Sequence, residues 1–99
     1  MPSGPDYTIV PGNTGKVHPV MAITGTASLI RISQPHNGAP IRTVQFQCAV
    51  AFWYSDDNAN WYPVPPSPAV FDLVCNVHDQ DIYIKTVTGS DNLYAMTVK

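Results

Sequence analysis

The chain contains no glutamate and only five lysines and arginines. Charged residues make up 12% of it, about half the usual ~25% of a globular domain. Long stable helices draw on Glu, Lys and Arg for their exposed faces, so their scarcity argues against a helical fold. With a net charge of −2 there is no basic footprint for nucleic acid and no electrostatic attraction to an anionic membrane. No apolar run approaches the roughly 20 residues of a membrane-spanning helix. Residues 1–5 show neither the basic region nor the apolar core of a signal peptide, which points to a chain that matures where it is made. A lightly charged surface also resists self-association weakly, so part of it is expected to be covered by other subunits.

Cysteine is scarce too. Cys48 and Cys75 both fall in strand-like segments, and buried free thiols are the expected state in a chain without an export signal. A disulfide between them requires close Cα spacing, which sequence does not give. Trp53 follows Cys48 by only five residues, unlike the Cys–Trp spacing of an immunoglobulin domain.

What is present suits strands and turns: Val, Ile, Thr, Tyr, Asn, Ser and ten prolines. Ninety-nine residues form one domain with one core. Residues 1–16 carry Pro2, Pro5, Pro11, Gly4, Gly12 and Gly15 and read as an extended arm, with at most a short strand at Tyr7–Val10. Residues 17–99 read as a single β-sandwich domain. Val17–Thr24 is an edge or bulged strand because of Pro19, and Ala27–Ser33 is a strand. Gln34–Pro40 is a loop around Asn37-Gly38.

From Ile41 to Tyr54, Val44, Phe46, Cys48, Val50 and Phe52 alternate with Gln45, Gln47, Ala49, Ala51 and Trp53. A period of two over this length gives one strand with one core face. Further strands are expected at Trp61–Val64, Ala69–Cys75, Asp81–Val87 and Leu93–Val98. The fold class is therefore all-β, an antiparallel β-sandwich or jelly roll of seven to eight short strands.

Catalytic chemistry finds no support. There is no Gly-x-Ser-x-Gly, phosphate-binding glycine loop or zincin motif, and no nucleophile stands at a recognisable spacing from a base. The aspartate pairs Asp56-Asp57 and Asp79-x-Asp81 lie in or beside turns, where carboxylates bond nearby backbone N–H groups. His78 beside Asp79 and Asp81 lacks a partner nucleophile. His18, His36 and His78 have no metal-ligand spacing, and the run from Asp56 to Asn60 lacks the alternating ligands and distal Glu of an EF-hand. No enzyme activity, catalytic residue, metal or cofactor is expected.

The aromatic hairpin carries the most information. Five of the ten aromatic residues fall between Phe52 and Tyr62. A turn centred on Asp57 places Trp53 opposite Trp61 and Phe52 opposite Tyr62, the two pairs facing opposite sides. Trp53 and Trp61 then share the non-core face with Gln45, Gln47, Ala49 and Ala51. Ordinary packing under the segment Pro63–Pro68 would explain such a face. A subunit contact would too, since Trp and Tyr are enriched at interface centres and charge is depleted there. A sugar-stacking platform flanked by Asp and Asn is the third reading.

The order of features from Val50 to Lys99 is an apolar strand, Trp53-Tyr54-Ser55-Asp56-Asp57, Trp61-Tyr62-Pro63-Val64-Pro65, Phe71-Asp72-Leu73, Asp81-Ile82-Tyr83-Ile84-Lys85 and a final strand. This pattern resembles small all-β virion structural proteins of tailed bacteriophages, of the head decoration, cement or fibre-base type. It covers the C-terminal half; Thr24–Thr43 fits loosely. The two cysteines and the aromatic hairpin depart from it. The resemblance implies a non-enzymatic capsid decoration or cement protein, a trimer or dimer bound to a capsid protein. It would be made in the host bacterial cytoplasm and carried in the virion, with residues 1–16 as a strap over a neighbour. The alternatives are a carbohydrate-binding or receptor-binding module using Trp53 and Trp61, and an inhibitor or adaptor domain.

Overall fold

Alternation at period two runs through almost every segment of the computed structural model, which describes residues 6–10, 16–33, 42–75 and 79–98. Among the described residues ten strands follow one another: β1 (Tyr7–Ile9), β2 (Lys16–Val17), β3 (Met21–Ile23), β4 (Ser28–Ser33), β5 (Arg42–Cys48), β6 (Phe52–Ser55), β7 (Tyr62–Val64), β8 (Phe71–Cys75), β9 (Asp79–Thr86) and β10 (Asp91–Val98). The first sheet has the order β1-β4-β9-β6-β7. The second runs β2-β10-β5-β8, with β3 also paired to β10. All ladders are antiparallel except β1 with β4. The expected β-sandwich is the architecture found.

Ile30 and Ile32 of β4, Ile82 and Ile84 of β9 and Phe52 of β6 point inward from the first sheet. Val44, Phe46 and Cys48 of β5, Leu73 and Cys75 of β8 and Leu93 and Ala95 of β10 meet them from the second. They form one continuous core, joined by Ile9 from β1 within the proline-rich N-terminal segment.

There are more strands than the seven or eight expected because two expected strands are each divided. In the first case β2 and β3 lie along the same side of β10. Val17 stands opposite Met96 and Met21 opposite Leu93. Three residues, His18 to Val20, therefore oppose two, which is a bulge. Pro19 has no N–H to give the ladder, and the bulge accommodates it. His18 keeps the strand attached: its amide donates to the Ala95 carbonyl at 3.0 Å, and its buried ring bonds the Thr97 hydroxyl.

The second division corrects the expectation of one strand from Ile41 to Tyr54. β5 ends at Cys48, and β6 begins at Phe52 in the other sheet. An unbroken strand of that length would run about 45 Å, beyond the 39 Å longest dimension of the molecule. Residues 49–51 carry the chain across, tied down where the Val87 amide donates to the Ala51 carbonyl at 3.1 Å.

Cys48 stands opposite Leu93 and Cys75 opposite Arg42, so the two thiols lie near opposite ends of β5. That is roughly 20 Å along the strand, against the ~7 Å Cα limit for a disulfide. Both are free and buried.

Candidate functional site

Most connections between strands change sheet; the β6–β7 hairpin stays within the first. Its turn is built by two side chains. Ser55 Oγ accepts from the amides of Asp57 (3.2 Å) and Asn58 (2.9 Å) and donates to Asp57 Oδ1 at 2.9 Å. Asp57 Oδ1 accepts from the amides of Ala59 and Asn60, each at 2.8 Å, and Oδ2 from Asn60 Nδ2 at 2.7 Å. Asn58 takes the left-handed conformation, φ 60°, which Asn tolerates better than most residues. The Asp57 carboxylate is used to build the turn, as expected of a turn aspartate.

These bonds hold the Asp57 carboxyl well below its ordinary pKa of 3.8, the Asn60 amide first, then the Ala59 amide, the Asn60 side chain and Ser55. A depressed acid favours the folded state above its unfolded pKa, and the benefit is lost as pH falls below that value. We therefore expect hydrogen-exchange protection of the Ala59 and Asn60 amides to hold at pH 5 and to fall through the acid range, with Asp57→Ala unprotected throughout. Protection in the variant equal to the parent would remove Asp57 from this role.

The turn also shifts the hairpin register. Phe52 stands opposite Val64, Trp53 opposite Pro63 and Tyr54 opposite Tyr62. The expected pairs Trp53–Trp61 and Phe52–Tyr62 are displaced by two residues, because the loop closed by Ser55 and Asp57 is longer than a turn centred on Asp57. A shift of two preserves facing. Trp53 and Trp61 therefore still line one shallow depression on the outer face of the first sheet, together with Lys85. Lys85 is the cross-strand neighbour of Trp53 on β9, and its Nζ lies 4.2 Å from the Trp61 ring centroid, a cation–π contact. Both indoles are partly buried. The sequence places Lys85 off the core by alternation with Ile84, but it does not say that β9 lies beside β6.

Gln45, Gln47, Ala49 and Ala51 do not join this face. Gln45 and Gln47 lie on the outer face of the second sheet, on the far side of the sandwich. Gln47 Nε2 donates to Ser67 Oγ (3.3 Å) and to the Pro68 carbonyl (3.4 Å), fastening the proline-rich segment to β5. Ala49 is exposed and Ala51 half-buried in the crossing between sheets. The shared face expected for these residues fails because the chain changes sheet between Cys48 and Phe52.

The two outer faces differ in chemistry. On the first sheet, Arg31 makes a two-pronged contact with its cross-strand partner Asp81, Nε–Oδ1 2.9 Å and Nη2–Oδ2 3.1 Å. The bond to Arg31 holds the Asp81 carboxyl below its ordinary range. Ser33 Oγ donates to Asp79 beside it at 3.2 Å. On the second sheet, Val17 is 74% exposed, Val74 62%, Tyr94 50%, Val70 49% and Met96 40%. Val17, Met96, Gln45 and Asp72 form one row across the strands, and Tyr94 pairs with Gln47 in the next. Asp72 is the sole charged side chain of this outer face among the described residues. Val17, Val70, Tyr94 and Met96 line a shallow groove over Gln45 and Gln47. The apolar residues of this face are not among those singled out from the sequence. Their signal is there: Val74, Tyr94 and Met96 occupy the non-core positions of alternating strands.

Among the described residues no group of three or more His, Cys or Asp side chains is placed to hold a metal ion. His36 and His78 lie outside the described residues. No protein-family model, curated protein or solved structure matches the chain.

Proposed function

We propose that this chain is a non-enzymatic structural protein that docks the outer face of its second sheet onto a larger assembly. One observation carries the reading: five large apolar side chains, Val17, Val70, Val74, Tyr94 and Met96, stand exposed on a single face with one charge among them. Exposed apolar residues scattered singly mean little, but a contiguous set on one face marks an interaction surface. The resemblance of residues 50–99 to virion structural proteins of tailed bacteriophages gives the assembly its identity in this reading. It is a capsid lattice, decorated by a protein made in the bacterial cytoplasm and carried in the virion.

The experiment is co-sedimentation with heads of the phage that encodes the protein, comparing the parent with Tyr94→Arg and Met96→Asp. Both positions are exposed, so the fold is retained. Each substitution buries a charge in the contact and should weaken binding by about 2 kcal/mol, roughly 30-fold, as loss of an interface anchor does. Binding equal to the parent in both variants would refute the reading.

A second reading rests on the Trp53–Trp61 depression, which has the aromatic surface of a sugar platform. Lys85 lies over Trp61 and competes for that ring. A glycan bound by the parent and lost in Trp53→Ala, with co-sedimentation unchanged, would favour this second function.

A further inference from the structure

Each sheet of the sandwich has two edges, and an open edge is a row of unpaired amides and carbonyls that must be blunted or used. Among the described residues three of the four are blunted. β7 is three residues long and contains Pro63, which has no N–H to offer. β1 is also three residues. The β2–β3 edge is broken by the bulge at His18–Val20, and the hydroxyl of Tyr7 sits on Ala22 of β3. There it donates to the Ala22 carbonyl at 2.8 Å and accepts from the Ala22 amide at 3.0 Å.

β8 is different. Its five residues, Phe71-Asp72-Leu73-Val74-Cys75, include no proline, glycine or lysine. Among the described residues it pairs with β5 alone. Its outward side chains are Asp72 and Val74, so its single charge sits beside an exposed valine.

We infer that β8 pairs with β8 of a second copy of this chain, antiparallel about a two-fold axis at Leu73, making one continuous sheet from the two second sheets. Main-chain hydrogen bonds would supply the contact and side-chain pairs would set its register. With Leu73 on the axis, Asp72 faces the partner's Val74 twice, and Phe71 faces the partner's Cys75 on the core side. No like charges stand directly opposite, and the two Asp72 carboxylates are diagonal neighbours about 7–8 Å apart. A register centred on Asp72 would oppose two carboxylates directly, which is unfavourable for cross-strand neighbours. The Leu73-centred register is thus the one that pairs all five residues of β8 while setting no carboxylate directly opposite another. The contact uses an edge, so it does not depend on what the outer face of the sheet binds.

Val74 provides a test that separates edge from face. Val74→Lys sets a lysine opposite the partner's Asp72 in both symmetry-related pairs, whereas Val74→Asp sets a second carboxylate there. Both replace an exposed valine with a charged residue. Sedimentation equilibrium should show a dimer for the parent and for Val74→Lys. The dimer dissociation constant of Val74→Asp should be about tenfold or more above that of Val74→Lys, from the two pairs together. Hydrogen exchange at the Phe71–Cys75 amides should slow as the parent is concentrated into the dimer. A parent that remains monomeric at high micromolar concentration overturns the inference. So does a dimer weakened equally by both substitutions; that outcome would leave the outer-face reading intact. Exchange at Phe71–Cys75 that ignores concentration also overturns it, even for a protein that dimerises.

Discussion

Phe46→Ala should lower stability by about 3–5 kcal/mol, the range for truncating a fully buried phenylalanine. Phe46 is completely buried on β5, which lies between β10 and β8 in the second sheet. Its ring stacks on Phe71 at 6.4 Å between centroids, and Phe71 in turn contacts Tyr54 of the opposite sheet at 4.7 Å and Tyr62 at 6.5 Å. Removing the ring takes away buried apolar area and leaves a void between two sheets whose backbones are fixed by ladders on both sides, so collapse is limited. A domain of this size loses roughly 4–8 °C in Tm per kcal/mol, so a fall of about 12 °C or more is expected. Urea unfolding at constant m-value is the measurement. Phe46→Leu should cost distinctly less, because it leaves a smaller void. A loss under about 1 kcal/mol for the alanine variant would mean that the two sheets do not close over Phe46.

The core was legible in the sequence because alternation reports it directly. Val44, Phe46, Cys48, Phe52, Leu73, Ile82 and Ile84 all stand on the expected face. The same signal is blind to a change of sheet. In a sandwich both inner faces meet one core, so a chain crossing from one sheet to the other can continue to place alternate residues inward. The run from Val44 to Phe52 therefore reads as one strand with Gln45 and Trp53 on one face, whereas the two residues lie on opposite sides of the molecule. The edge character of the segment after Val17 was legible because Pro19 has a local chemical consequence. The hairpin register was not, because it depends on how many amides Asp57 and Ser55 gather. Neither was the place of Lys85 over Trp61 or of Tyr7 on Ala22. Those contacts join strands whose adjacency is a property of the topology and not of any short stretch of sequence.

The buried thiols should be the least reactive groups in the molecule. Attack on a disulfide reagent requires a thiolate that the reagent can reach. Cys48 and Cys75 have no exposed surface. Burial also raises both pKa values, that of Cys75 from 9 to about 11. Labelling of the native protein should then proceed only through global opening, and be slower than labelling of the unfolded chain by about the folding equilibrium constant, several orders of magnitude. Two features identify this route. Both cysteines, at opposite ends of β5, should react at one common rate, and below pH 9 that rate should rise about tenfold per pH unit, because ionisation occurs in the open chain. Stability itself should fall as pH climbs from 9 toward 11, since the unfolded chain then binds fewer protons than the folded one. For Cys75 the change is about 2–3 kcal/mol. The measurements are stopped-flow labelling with mass-spectrometric assignment of each cysteine, and denaturant titrations across the alkaline range. One thiol reacting much faster than the other would show that its end of the sandwich opens separately. A Cys48–Cys75 disulfide recovered from native protein would contradict the strand register that places them roughly 20 Å apart.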